Sequence, residues 1–521
     1  MIKRVFLLIF SLLLPCFIVN ASTSNTEKPN IVFIFADDMS VKTAGFMGHP
    51  IVKTPNLDKL ANQGVIFNKA YNMGSWSPAV CIASRTMINS GLSIWHAQQV
   101  DKLFTAKKSK KNRKKKSKKQ RAAQSSTQVA PKAEPLSAQR IAEQKQITDS
   151  FWASRMKKAG YDTYMTGKWH VKAPVEASFD DLGTVRGGMP KQSKERYTRT
   201  FDKVADSWSP YDKSMGGFWE GGQHWSETLA DESIDYLNSK KASDKPFFMY
   251  LGFNAPHDPR QAPKEYIDMY PLGELTMPKS YQAQNSDMNA MGLLTLKKGR
   301  ILRDESLGPL PRTEHSTLVN RQEYYALITH LDAQIGRIVE QLKANNQLEN
   351  TVIIFTADHG LAIGEHGLLG KQNLFEHSMR APFFLYGKDI PKGETRDAQI
   401  YIQDAMATSL DIAQADTKGV DFKSVLPIVQ NSKAPGYQKI YGAYLKNQRA
   451  IIHHGFKLIL YPTEKLVRLF DLNKDPDELT DLSQHIEYAQ KMKSLFATLV
   501  KEQKEKGDTL NLVAVYPELS N

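Results

Sequence analysis

The chain has 521 residues, 41% hydrophobic and 10% aromatic, which suits a globular protein with a substantial core and excludes a disordered or fibrous one. Its two cysteines, Cys16 and Cys81, exclude a disulfide-built scaffold. The formal net charge of +14 belongs to one segment: residues 107–121 hold eleven Lys or Arg and no acid, so the remainder is close to neutral.

Residues 1–21 read as a secretory signal. Lys3 and Arg4 precede an apolar run over 5–19, and Val19-Asn20-Ala21 offers a small-residue cleavage site before Ser22. A lipid anchor at Cys16 ranks second, because Pro15 stands where a small residue is needed. The run is too short to span a membrane, and no later segment approaches the ~20 apolar residues a span requires. The expected mature chain is periplasmic or secreted, without a transmembrane segment, and keeps Cys81 as its single thiol.

Four apolar runs predict buried strands over 30–36, 161–166, 247–253 and 351–357. Helical patterns alternate with them over 57–63, 79–89, 151–159, 227–237 and 322–345. This alternation predicts an α/β fold with a mostly parallel central sheet flanked by helices. Residues 22–433 would form this larger domain, interrupted by a polar, mobile insert over 105–140 that cannot bury enough apolar surface to order itself. From 434 to 521 short alternating segments and a final helix over 485–504 predict a smaller C-terminal subdomain, an antiparallel sheet with a helix packed on it.

Each of the four predicted strands ends in polar residues: Asp37-Asp38, Gly167-Lys168-Trp169-His170, Asn254-Ala255-Pro256-His257 and Asp358-His359-Gly360. Ligands of open α/β sheets sit outside the carboxyl ends of the strands. Acids from two strands meeting at that edge would repel one another without a cation between them, and they make an oxygen-rich pocket for a hard divalent ion. Cys81 falls in the first turn of a predicted helix, where backbone N–H groups favour negative charge, and Arg85 lies one turn on along the same face. A buried cysteine beside a solvated arginine would explain that pair alone equally well.

Taken in order, these motifs resemble the sulfatase family with the alkaline-phosphatase-like fold. The likeness covers Lys28 to Val32 leading into Asp37-Asp38, Cys81 to Arg85, Gly167 to His170, Ala255-Pro256-His257 and Asp358-His359-Gly360. It continues with Gly364-Glu365-His366-Gly367 ahead of Gly370-Lys371. The resemblance implies a sulfatase whose Cys81 is oxidised to formylglycine, with a hydrate that attacks sulfur. It implies one Ca²⁺ held by Asp37, Asp38, Asp358, His359 and the modified residue 81. Arg85 would steady the hydrate, and Lys168 and Lys371 would bind sulfate oxygens. His170 would contact the nucleophile's second hydroxyl, and His257 would protonate the leaving oxygen. His366, His377 and Arg380 either shape substrate binding or pack, and His224 and Trp225 are weaker candidates of the same kind.

The chain departs from the family pattern at Ala83, where proline is more common, and at His359, where asparagine is. Ala83 suits an oxygen-independent radical maturase better than the oxygen-dependent generating enzyme, and His359 is a softer ligand than calcium prefers. The expected substrate is sulfated carbohydrate. Two alternatives remain: a phosphoester or phosphonate hydrolase of the same superfamily, and a non-catalytic binder of sulfated glycans in which Cys81 stays a thiol. The basic run lacks interleaved aromatic residues, which argues against nucleic acid and leaves three readings: a gatherer of sulfated polyanions, a tether to a membrane or anionic cell surface, and a solvated insert of no specific role.

Overall fold

A computed structural model describes residues 28–105, 137–188, 199–201, 206–243, 245–295 and 300–520. The predicted signal and the basic run fall outside these residues. The far end of the predicted insert does not: residues 138–140 begin a helix, Ala138–Thr148, started by the Ser137 side chain, which accepts from the Arg140 amide.

The central sheet has eight strands. In chain order the elements that matter here are β1 (Asn30–Ala36), β2 (Val65–Tyr71), β3 (Gly74–Ser75), β4 (Asp162–Lys168), β5 (Asp181–Arg186), β6 (Phe247–Gly252), β7 (Thr351–Ala357), β8 (Phe383–Gly387) and β9 (Glu394–Tyr401). All but β3 belong to the central sheet, whose order is β9-β2-β8-β7-β1-β6-β4-β5. Every pair is parallel except those made by β8, which runs against both β7 and β2. Strands β1, β6 and β7 are apolar apart from Asn30, Thr351 and Thr356 and are fully buried, as strands covered on both faces must be. The predicted strand over 161–166 continues to Lys168, so this lysine ends the strand itself.

Helices cover both faces. Helix α1 (Pro55–Asn62), α2 (Val80–Ser90), α3 (Trp152–Lys158) and α4 (Trp225–Ser239) match the predicted helices within a few residues. The next, α5 (Glu314–Ala344), spans 31 residues and starts eight before its predicted beginning. Thr313 and Ser316 form its capping box, satisfying amides that would otherwise be orphaned at the helix start. Midway along α5, the Tyr324 hydroxyl donates to the Asp38 carbonyl at 2.6 Å and accepts from the Ser40 amide at 2.9 Å. The longest helix therefore holds the loop that carries Asp38.

The C-terminal sheet is antiparallel over β10 (Lys439–Tyr444), β11 (Gln448–His453), β12 (Phe456–Tyr461) and β13 (Leu466–Asp471), with helix α6 (Ala489–Glu505) packed on it. Strand β3 adds a parallel edge to β10. A second apolar core joins this sheet to Tyr71, Val80, Met87 and Leu374 from the first part of the chain. The seam is also ionic: Lys457 on β12 lies 2.8 Å from both Glu376 and Glu478, all three buried.

Candidate active site

The carboxyl ends of β1, β4, β6 and β7 converge because neighbouring strands stay bonded to one another past their last residues. The Asp37 amide donates to the Ala255 carbonyl at 3.0 Å, and the Asp358 amide donates to the Ala36 carbonyl at 3.2 Å. Asp38 then takes a left-handed conformation (φ 67°), which aspartate tolerates better than most residues. Gly360 follows the pair Asp358-His359 where a Cβ would sit 2.1 Å from the His377 carbonyl oxygen, so only glycine allows that approach.

Helix α2 brings Cys81 and Arg85 to this edge. Its N-cap, Ala79, offers no side-chain acceptor. The Cys81 sulfur lies 3.4 Å from His359 Nε2, 3.4 Å from Lys371 Nζ and 3.7 Å from Asp38 Oδ1. His170 is hydrogen-bonded to the same thiol. One ligand atom from each of Asp37, Asp38, Cys81, Asp358 and His359 lies within 4.8 Å of the others, and all five residues are buried.

Cations surround the acids. Arg85 is fully buried, with Nε 3.3 Å from Asp358, Nη2 3.7 Å from Asp37, and Nη1 donating to the Lys168 carbonyl at 2.7 Å. It therefore braces two carboxylates and the end of β4 together. Lys168 ion-pairs with Asp37. Lys371 contacts both Asp38 oxygens at 2.7 Å. His257 sits with Nε2 3.6 Å from Asp38 and Nδ1 2.9 Å from Asp258.

Burial pushes the Asp358 carboxyl well above its ordinary range, and nearby Asp37 adds to that. Burial also raises Asp38, against the pull of His257 and Lys371. Asp37 goes the other way, to about 2: burial and the Cys81 charge oppose ionisation, but Lys168, His257 and Arg85 outweigh them. For His257 burial alone would favour the neutral ring, yet Asp38 and Asp258 hold its proton up to about 10. The Cys81 thiol is driven well down despite burial, because Lys168, Lys371 and His359 favour its charged form.

The donor set fits a hard divalent ion. Asp37 Oδ1 is a buried acceptor without a hydrogen-bond donor. The Nδ1 of His359 lies 2.8 Å from the Gly360 carbonyl, and donating there leaves Nε2 as a ligand atom among the carboxylates. Held by Asp358 and Asp38, that ring is pushed up to about 9 against its burial, so the cluster already gathers positive charge at this point.

Above the sulfur opens a pocket of about 410 Å³, lined by Pro78, Ala79, Cys81, His170, His257, Leu302, Arg303, Asp304, Lys371 and Gln372. A cleft of about 450 Å³ at the seam of the two sheets shares no lining residue with it. Sequence reasoning missed Asp258, Arg303 and Asp304. Asp258 adjoins His257 between two prolines, a signal that was available; Arg303 and Asp304 carry no local signal and reach the pocket only through the fold.

The weaker candidates lie outside the pocket lining and pack. His366 stacks on Phe375 at 4.3 Å with Nε2 3.0 Å from the Asp477 carbonyl. His377 is buried beside it, and Arg380 pairs with Glu376 at 3.5 Å. His224 caps α4 by accepting from the Ser226 amide, and Trp225 lies under the Arg186 guanidinium at 3.7 Å.

A family model described as sulfatase matches residues 29–415, and one described as N-sulphoglucosamine sulphohydrolase, C-terminal, matches residues 364–505. An arylsulfatase of Clostridium perfringens is 27% identical, over 91% of this chain and 94% of that protein. An N-acetylglucosamine-6-O-sulfatase of Bacteroides thetaiotaomicron is 24% identical, over 94% of this chain and 88% of that protein. Among solved structures, an enzyme in complex with its substrate D-glucosamine-2-N,6-O-disulfate superposes with a TM-score of 0.67 at 21% identity, covering 92% of this chain and 99% of the other.

Proposed function

The chain belongs to the sulfatase family and is a sulfuric ester hydrolase, and we propose that it cleaves sulfate monoesters of carbohydrate after export and removal of residues 1–21. The observation that carries the reading is the single cluster of three buried carboxylates, His359 and Cys81 under one pocket. Cys81 oxidised to formylglycine would supply an oxygen nucleophile, and Ca²⁺ held by Asp37, Asp38, Asp358, His359 and residue 81 would polarise the ester and favour the ionised nucleophile. A formylglycine-generating maturase would make that change, and Ala83 suits the radical type better than the oxygen-dependent one.

The chain's own groups account for the remaining chemistry. Lys168 and Lys371 flank the sulfur of Cys81 as point charges suited to sulfate oxygens. His257 holds its proton against burial and lines the pocket, so it delivers that proton to the departing sugar oxygen. His170, hydrogen-bonded to residue 81, accepts a proton there when sulfate is released. Arg85 is not among the residues that line the pocket and acts by fixing Asp37, Asp358 and β4 in place. The N-acetylglucosamine-6-O-sulfatase and the enzyme solved with D-glucosamine-2-N,6-O-disulfate both support carbohydrate as the leaving group.

The test compares kcat/KM on the sulfate and phosphate esters of one sugar. A sulfatase prefers the sulfate; preference for the phosphate would assign the chain to phosphoester chemistry instead. Mass spectrometry of the peptide spanning residues 76–85 separates the enzyme from a glycan binder, since an unmodified thiol in active preparations would contradict the aldehyde.

A further inference from the structure

We infer that the pocket contains a second anion subsite, in which Arg303 receives a carboxylate or sulfate carried next to the sugar carbon that bears the scissile sulfate. The inference rests on the sulfatase reading above and names what that site selects. Among the described residues lining the pocket, the full-time cations are Lys371 and Arg303. Lys371 is buried against Asp38 and Cys81, so it serves the scissile sulfate. Arg303 stands at the mouth with 43% of its side chain exposed.

Its position is fixed from behind. Nε donates to Asp304 Oδ1 at 2.8 Å, and Nη2 lies 3.6 Å from Asp258 Oδ1. Both carboxylates are buried and themselves tied down, Asp304 by Gln372 Nε2 at 2.8 Å and Asp258 by His257 Nδ1 at 2.9 Å. A guanidinium held at Nε and Nη2 by two carboxylates keeps a fixed place at the pocket mouth, where its charge meets an anionic substituent through a charge-assisted hydrogen bond. The same Nη2 is 3.4 Å from His257 Nε2. The leaving oxygen must come within hydrogen-bond reach of that nitrogen to take its proton. A substituent on the adjacent carbon of the sugar therefore arrives beside Arg303. Pro78, Ala79 and Leu302 complete the lining with apolar surface suited to the C–H face of a sugar ring.

The test is a matched set of one monosaccharide sulfate whose neighbouring carbon carries a hydroxyl, a carboxylate or a second sulfate, assayed with the wild type, Arg303→Gln and Arg303→Lys. The wild type should prefer one of the anion-bearing members by about tenfold to a hundredfold in kcat/KM, the range of one charge-assisted hydrogen bond. The two anionic members decide between carboxylate and sulfate. The preference should fall below about threefold in Arg303→Gln and lie between in Arg303→Lys. A wild type that favours the hydroxyl-bearing member overturns the proposal. So does an Arg303→Gln that slows all members by one factor, since Arg303 would then only align His257. If the wild type turns over none of them, the sulfatase reading fails, and the subsite is read from calorimetric binding of the same sugars. There, tighter binding of an anion-bearing member that vanishes in Arg303→Gln supports the subsite, and equal binding by the wild type removes it.

Discussion

Replacing Lys457 by methionine should unlock the seam between the two sheets without touching the pocket. The ammonium is wholly buried and lies 2.8 Å from Glu376 and from Glu478, which are 5% and 1% exposed in their side chains. Glu478 in turn accepts from the Glu376 amide at 2.6 Å. Without Lys457 two buried carboxylates face each other, held chiefly by Arg380 and the Tyr71 hydroxyl. Removing one partner of such a cluster costs about 3–5 kcal/mol, because the remaining charge is left uncompensated. The pH dependence fixes the cause. Burial already raises Glu478 to about 7, above its ordinary value, despite the pull of Lys457. A carboxyl raised on folding contributes stability that is present below its unfolded pKa and is lost as pH rises through about 7. Loss of the lysine raises it further, so the deficit of Lys457→Met relative to the wild type should be larger at pH 8 than at pH 5.5. Urea unfolding at the two pH values measures this. A deficit below about 1 kcal/mol, or one that grows on acidification, would refute the reasoning.

His257→Gln should lower kcat/KM on sugar sulfates by about 10²–10⁴, and by far less on aryl sulfates whose phenol leaves without protonation; equal losses on both would remove its role as acid. Gly360→Ala forces a Cβ to 2.1 Å from the His377 carbonyl oxygen, so it should cost about 1–3 kcal/mol in thermal or urea unfolding and weaken Ca²⁺ binding with it; a variant as stable as the wild type contradicts the close approach. Deleting residues 107–121 should raise KM on long sulfated polymers and flatten its salt dependence while small aryl sulfates respond little; equal effects on both would end the idea that this run gathers polyanions.

The site was legible because strands buried on both faces leave a clear signal. The runs 30–36, 247–253 and 351–357 are apolar apart from Asn30, Thr351 and Thr356, and they stop at Asp37, Asn254 and Asp358. The outer strands were not legible. Strand β5 is exposed along much of its length, and β9 opens with Glu394, Thr395, Arg396 and Asp397 at a sheet edge, so neither reads as a buried run. Strand β2 is interrupted by Asn68 and Lys69, and β8 by its short length. Lys371 lies in a loop that no periodicity marks, and its place beside Asp38 comes only from folding. Arg303 and Asp304 are the same case. They stand 46 and 47 residues from His257 in sequence, and their significance lies wholly in the contact.

The account depends most on a cation gathered by acids from separate strands. The direct measurement is turnover of one sugar sulfate by protein stripped with a chelator, then titrated with Ca²⁺, in the wild type and in Asp358→Asn. The wild type should lose activity on stripping and regain it on titration, whereas Asp358→Asn should stay inactive over the same range. Full turnover by the stripped wild type, or by Asp358→Asn at any Ca²⁺ concentration, would contradict it.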